Sequence, residues 1–323
     1  MELQTLGPYR LLEPLPRASV ANRFFLARHV DGKENTAPLC LAKATLPGGG
    51  ESAEHLRAQF QHEGALLAHF NHPAIPSLRH RGCENGVDYL IMDFVDGVDL
   101  ATLLAHHTDQ PRALTKEIAV YLMGQLASAL HHVHSAEQEL DKPTEEGHTV
   151  ISLEVLHRDI CPANIFLSRD GDVVLGDFGS ASSTLLAPEH RAKQAGHIAY
   201  MAPERVTGTG RATKKSDLFS LAVCLWEILK GRRCLQAEDE LKTMDTIARF
   251  DISHSSRRVS GLSPKLSEIV RRNLDRDPSR RYTGAYQILQ RLAQSPERAE
   301  AEHSRDELAR LVNHCADQQR SGS

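Results

Sequence analysis

Short alternations of apolar and polar residues dominate the first third of the chain, and after Gly97 they give way to longer stretches of helical periodicity. The first pattern is that of half-buried strands and the second that of amphipathic helices. Strands are expected in YRLLEPL from Tyr9, NRFFLAR from Asn22, PLCLAKATL from Pro38 and VDYLIMDFV from Val87. One helix interrupts them, over residues 51–70. The triplet GGG at 48–50 breaks the chain before it, and Asn71-His72-Pro73 ends it because proline cannot continue a helix. Further helices are expected over 114–134, over 216–230 with Gly231 as the stop, over 264–274 and over 282–293. The Glu-rich stretch 135–154 reads as a solvated surface insertion. Residues 293–323 read as a charged tail with a short exposed helix and a frayed end. The pattern therefore describes a small sheet-rich lobe, about 9–95, followed by a larger, mainly helical lobe, about 96–292.

Composition narrows the partners. With 323 residues, 41% of them hydrophobic, the chain is long enough for two lobes. A formal net charge of -4 offers no global basic field for nucleic acid or an anionic membrane, so neither is an expected partner. Six scattered cysteines form no Cys-x-x-Cys pair, which fits reduced thiols rather than a disulfide framework. The cluster His131-His132-His134 lies within a helical pattern without a companion carboxylate at ligand spacing and is read as structural. The N-terminus lacks a basic-then-apolar leader and no apolar run approaches bilayer length, so a cytoplasmic protein is expected.

Two charges fall on apolar faces. In the helix over 51–70, Leu56, Phe60 and Leu67 mark one stripe, and Glu63 lies on it. An unpaired carboxylate there would cost several kcal/mol, so a cationic partner is required. Lys43 is the candidate, since it shares a strand face with Leu39 and Leu41.

The ordered series Lys43, Glu63, His157-Arg158-Asp159, Asn164, Asp177-Phe178-Gly179, Ala202-Pro203-Glu204 and Asp217 resembles the protein-kinase signature set. NHPAI, GHIAYMAPE and DPSRRY make it most similar to the bacterial eukaryotic-like Ser/Thr kinases. The resemblance implies an α+β, two-lobed kinase fold with an antiparallel N-terminal sheet, and a reaction in which ATP and Mg²⁺ serve transfer to a protein substrate. It implies Asp159 as the residue that orients the substrate hydroxyl, Asn164 and Asp177 as oxygen ligands of Mg²⁺, and Lys43, held by Glu63, on the ATP phosphates. Leu41, Met92 and Val95 fall where the family holds the adenine. Asp217 resembles the aspartate that accepts catalytic-loop N–H groups, and Glu204 and Arg281 resemble a buried ion pair. Arg158 resembles the arginine that grips a phosphorylated segment, with Ser180, Ser182, Ser183 and Thr184 nearby.

The chain departs from that pattern in five places. PRASVA at 16–21 has Pro16, Ala18 and Ala21 where the family places phosphate-covering glycines, and Arg23 or Phe24 stands for the valine over the adenine. Leu41 replaces a small residue. Cys161 replaces the catalytic-loop lysine, and His197 the threonine of a GT pair. Two readings follow: an ATP- and Mg²⁺-dependent Ser/Thr kinase, or a pseudokinase that binds and regulates a protein partner. A small-molecule phosphotransferase is disfavoured by APE and Asp217.

Overall fold

Eleven strands and eleven α-helices are found among the described residues of this computed structural model, which are 4–16, 22–31, 37–45, 51–106, 114–139, 150–191, 196–254 and 259–321. The strands are β1 Thr5–Leu6, β2 Tyr9–Leu15, β3 Asn22–His29, β4 Cys40–Thr45, β5 Leu78–Glu84, β6 Val87–Asp93, β7 Gly97–Asp99, β8 Glu137–Glu139, β9 Val150–Ser152, β10 Ile165–Ser168 and β11 Val173–Leu175. The first helices are α1 Glu51–His69, α2 Leu100–His106, α3 Lys116–His134, α4 Pro188–Arg191, α5 Pro203–Val206 and α6 Lys214–Lys230. The remainder are α7 Glu240–Ala248, α8 Pro264–Asn273, α9 Ala285–Ala293, α10 Glu297–Glu300 and α11 Ser304–Ser321.

One unit comprises residues 1–94 with 185–193. Its antiparallel sheet has the order β1-β2-β3-β4-β6-β5. Alternation along β4 sends Cys40, Ala42 and Ala44 into an apolar cluster with Leu6, Tyr9, Ala27, Tyr89 and Ile91. Leu41 and Lys43 therefore occupy the opposite face, where Leu41 pairs with Met92 and Lys43 with Leu90. On α1, Phe60, Glu63, Leu66 and Leu67 are buried, as is Phe70 just beyond its end. Leu56, expected on the same stripe, is 47% exposed, because the buried face of α1 begins only at Gln59 and Phe60.

Strand β5 was not expected from the pattern. Its sequence LRHRGCE carries charge where a half-buried strand ordinarily carries Val or Ile. The readable signal is the following Asn85-Gly86, both at positive φ (51° and 81°), the two-residue turn that joins antiparallel strands with their natural twist.

The second unit comprises residues 95–184 and 194–323. Helix α3 starts where Thr115 Oγ1 accepts the Ile118 N–H at 3.3 Å. It buries Leu122, Leu126 and Leu130, and α6 is buried from Ser216 to Ile228. The antiparallel sheet β11-β10-β7 lies in this unit, and the polar insertion begins and ends as the small hairpin β8–β9. Beyond residue 293 the chain departs from the expected exposed tail. α11 has 18 residues and buries Leu308, Val312, Cys315 and Ala316, a helical stripe hidden in a charged sequence. It is held by Arg305 on Asp172 at 2.7 Å and by Arg169 Nη1 donating to Asn313 Oδ1 at 2.7 Å.

Candidate active site

Lys43 and Glu63 meet within the first unit. Lys43 Nζ donates to Glu63 Oε2 at 2.7 Å, with the two side chains 5% and 2% exposed. Phe24 stands opposite Lys43 in the β3–β4 register, and Lys43 Nζ lies 5.8 Å from its ring centroid and 6.0 Å from that of Phe60. Of the two residues expected over an adenine, Phe24 is on this face and buried, whereas Arg23 is exposed. Leu41 and buried Met92 are cross-strand neighbours on the same face. Val95, half-buried, begins the second unit. Of PRASVA, residues 17–21 lie outside the described residues.

In the second unit, Asp217 organises the loop at 157–164. It accepts the backbone N–H groups of His157 and Arg158, both at 2.9 Å, and a hydrogen bond from His134 Nε2 at 2.8 Å. Burial alone would raise this carboxyl, but the His134 hydrogen bond, His157 and the Arg158 N–H hold it below the ordinary carboxylate range. His134, which sequence reasoning left without a carboxylate, thus has one from α6. The ring of His157 is fully buried; its Nε2 faces the Gly176 carbonyl at 3.2 Å, its Nδ1 receives the Asp159 N–H at 3.3 Å, and it packs 4.7 Å from Phe178. Burial depresses the pKa of this imidazole. The loop is consequently tied to the strand that leads into Asp177.

The pairing of Ile165 with Leu175 sets Asn164 across from Gly176, whose N–H reaches the Asn164 carbonyl at 2.9 Å. Asp177 follows at once, at φ 61° and ψ 77°, a left-handed conformation unusual for an aspartate. Asn164 Nδ2 donates to the Asp159 carbonyl at 2.9 Å and to Asp159 Oδ2 at 3.0 Å. That hydrogen bond fixes which way round the carboxamide sits and makes its oxygen the ligand atom. Asn164 and Asp177 together supply hard oxygen donors at one end of the β10–β11 hairpin, a donor set that fits Mg²⁺.

The other oxygen of Asp159 is engaged by His197. Both the His197 backbone N–H and its Nδ1 lie 2.8 Å from Asp159 Oδ1. The Cys161 thiol lies 3.4 Å from the same Nδ1. The two residues that depart most plainly from the resembled pattern therefore touch each other, and His197 also holds Asp159. The hydrogen bond to Asp159, followed by that to Cys161, raises the His197 pKa to about 10, so an imidazolium stands here at neutral pH. Burial raises the Cys161 thiol, with His197 opposing it. The position is sterically fixed by Gly196 at φ 104°, where a Cβ would come within 2.5 Å of the Arg158 carbonyl oxygen.

Around this loop, Arg281 makes a two-pronged contact with Glu204 at 2.9 and 2.8 Å, and Ser216 Oγ donates to Glu204 Oε1 at 2.8 Å. Burial would raise the Glu204 carboxyl, but Arg281 holds it low. Arg205 Nη1 donates to the Arg158 carbonyl at 3.0 Å. Of the four hydroxyls after Asp177, Ser182 and Ser183 are buried and Thr184 is exposed.

The profile of the protein kinase domain family matches residues 42–293, more than half of the chain. Human ribosomal protein S6 kinase alpha-3 is 29% identical over 276 residues, 84% of this chain and 33% of that protein. Serine/threonine-protein kinase PrkC of Bacillus subtilis is 29% identical over 230 residues, 70% of this chain and 32% of its own length. Tyrosine-protein kinase MasK of Myxococcus xanthus is 27% identical over 286 residues, covering 88% and 42%. The chain thus spans about a third of the S6 kinase that it matches.

Proposed function

The chain belongs to the protein kinase domain family, and on that premise we propose that it transfers the γ-phosphate of ATP to a serine or threonine hydroxyl of a protein substrate. The observation that carries this reading is the seating of Asp159. A carboxylate offers about four lone-pair sites. Three are engaged among the described residues, two on Oδ1 by His197 and one on Oδ2 by Asn164. The remaining acceptor position on Oδ2 is the one to which a substrate hydroxyl would donate, in an orientation set by both neighbours.

Lys43, held by Glu63, is the residue assigned to the α- and β-phosphates, with Leu41 and Met92 beside the base. Asn164 and Asp177 would hold Mg²⁺, which when bound neutralises phosphate charge. The unit positive charge lost with Cys161 is returned by the His197 imidazolium. That exchange supports transfer rather than loss of activity, because a cation near the transferring group is worth a few kcal/mol of transition-state stabilisation. Six free thiols agree with a cytoplasmic setting. Among the described residues no helix is long and apolar enough to cross a membrane.

A second reading, a pseudokinase that regulates a protein partner, is favoured by one observation: Lys43 is 4% exposed, with Phe24 beside its ammonium where the resembled family has a smaller residue. Labelled ATP with Mg²⁺, incubated with the protein and a generic basic acceptor, distinguishes the two. Transfer should occur and fall by about 10²–10⁴-fold in Asp159→Ala. Product no greater than in the Asp159→Ala control excludes the kinase reading, and a thermal shift with ATP then tests nucleotide binding by itself.

A further inference from the structure

We propose that Asp159, Cys161 and His197 together form a binding site for a thiophilic divalent cation of the zinc type. The ligand atoms Asp159 Oδ, Cys161 Sγ and His197 Nδ1 all lie within 4.8 Å of one another. Two of the three edges are 2.8 Å, from Nδ1 to Asp159 Oδ1, and 3.4 Å, from Nδ1 to Sγ. Around a four-coordinate zinc with ordinary bond lengths, the same edges would be about 3.3–3.6 Å. The two edges at Nδ1 therefore need to open by about 0.2–0.6 Å, and the third lies within 4.8 Å.

The ligand chemistry selects the ion. Thiolate and imidazole suit zinc and its neighbours, whereas Mg²⁺ takes all-oxygen octahedra of the kind Asn164 and Asp177 offer. Binding replaces two protons, the thiol proton of Cys161 and the Nδ1 proton of His197, with one divalent cation, so the charge of the cluster does not change. Cys161 is 1% exposed and the Asp159 side chain 9%, while His197 is 56% exposed. Two buried ligands thus sit beneath an exposed third, which gives the ion an entry path and leaves the fourth position to water. Asn164, through its hydrogen bond to Asp159 Oδ2, supplies outer support of the kind metal carboxylates ordinarily have.

Occupancy would replace the His197 Nδ1 hydrogen bond on Asp159 Oδ1 and draw charge from the carboxylate whose Oδ2 would accept the substrate hydroxyl, so the ion would act as an inhibitor. That consequence rests on the kinase reading, whereas the binding does not. The test is therefore spectroscopic. The metal-free protein, as the whole 323-residue chain, is titrated with Co²⁺ and followed for thiolate-to-cobalt charge transfer in the near ultraviolet and for intense four-coordinate bands in the visible. A single equivalent should give both, and Zn²⁺ should displace them. The charge-transfer band should vanish in Cys161→Ser and persist in Cys83→Ser and Cys234→Ser, the two thiols that are not buried. His197→Asn should weaken binding by more than about 100-fold, since outer-shell partners alone are worth about 10–100-fold. Thermal melting of each variant establishes that it folds. A wild-type protein without the band, or a band that survives Cys161→Ser, overturns the site. If the band forms as expected but the wild type transfers no phosphate, the site stands and only the inhibitory consequence falls.

Discussion

Replacing Glu63 by glutamine isolates the charge in the Lys43 pair while keeping the shape. At 2.7 Å and an effective dielectric of about 20, the attraction is about 6 kcal/mol before desolvation of the two groups is subtracted. Removing one member of such a buried pair ordinarily costs about 3–5 kcal/mol, because the other charge is stranded. Glutamine still offers a carbonyl to the ammonium, and a hydrogen bond to a charged group returns about 1.5–3 kcal/mol. The expected net loss is about 2 kcal/mol. Urea denaturation by far-ultraviolet circular dichroism should show it, and Lys43→Met, which returns no hydrogen bond to the stranded Glu63 carboxylate, should cost about 3–5 kcal/mol. The double variant Lys43→Met/Glu63→Gln should be more stable than the sum of the two losses implies, giving a coupling energy of at least about 1.5 kcal/mol. A coupling below about 0.5 kcal/mol would mean that the ammonium is solvated in the folded protein, and the reasoning about a buried, obligatory pair would fail.

Arg281→Met should destabilise by about 3–5 kcal/mol in the same assay, because it leaves the Glu204 carboxylate buried without its cation; Glu204→Gln/Arg281→Met should recover much of that loss. Gly196→Ala should both destabilise and, on the kinase reading, reduce transfer, since its Cβ would collide with the Arg158 carbonyl at a φ that L-residues rarely adopt; wild-type stability in that variant would show that the turn relaxes. The stabilising contribution of His197 has a defined pH sign. A pKa raised from 6.5 to about 10 makes that contribution complete below about pH 6.5 and lost as pH rises through about 10. The melting-temperature difference between wild type and His197→Asn should therefore shrink across that window, modestly because the ring is 56% exposed. A difference that grows with pH would refute the imidazolium assignment.

The parts of the fold that could be read in advance are those in which local pattern and tertiary role coincide. β2, β3, β4, β6, α1, α3, α6, α8 and α9 all follow strand or helix periodicity, and their stops are supplied by residues such as Pro73 and Gly231. β5 was hidden because its side chains are charged and half-exposed, so its pairing with β6 is carried by backbone hydrogen bonds and the Asn85-Gly86 turn. α11 was hidden because four buried positions were outnumbered by charges on the other face. At the site, the pairing of Lys43 with Glu63 was legible because two charges on apolar faces have to find each other. The His134 contact with Asp217 was not, because it joins α3 to α6 across 83 residues with no periodic signal at either end.

Cys161 and His197 are instructive for the same reason. Taken singly along the chain, each substitution removes something: a cation at one position, a hydroxyl link to Asp159 at the other. In space they are 3.4 Å apart, and His197 also binds that aspartate. The imidazole restores the link to Asp159 through Nδ1, and its protonation restores the charge that Cys161 lacks. The smaller thiol leaves room for a ring where a lysine side chain would compete for the same carboxylate. On the kinase reading the two changes would compensate each other as a pair, which is testable as coupling. Cys161→Lys should disturb the His197 contact, and in Cys161→Lys/His197→Thr the transfer activity should exceed that of Cys161→Lys alone, because only then are both the cation and the hydroxyl link provided without competition for Asp159. Activities in which the two substitutions simply multiply would show that the contact carries no functional coupling.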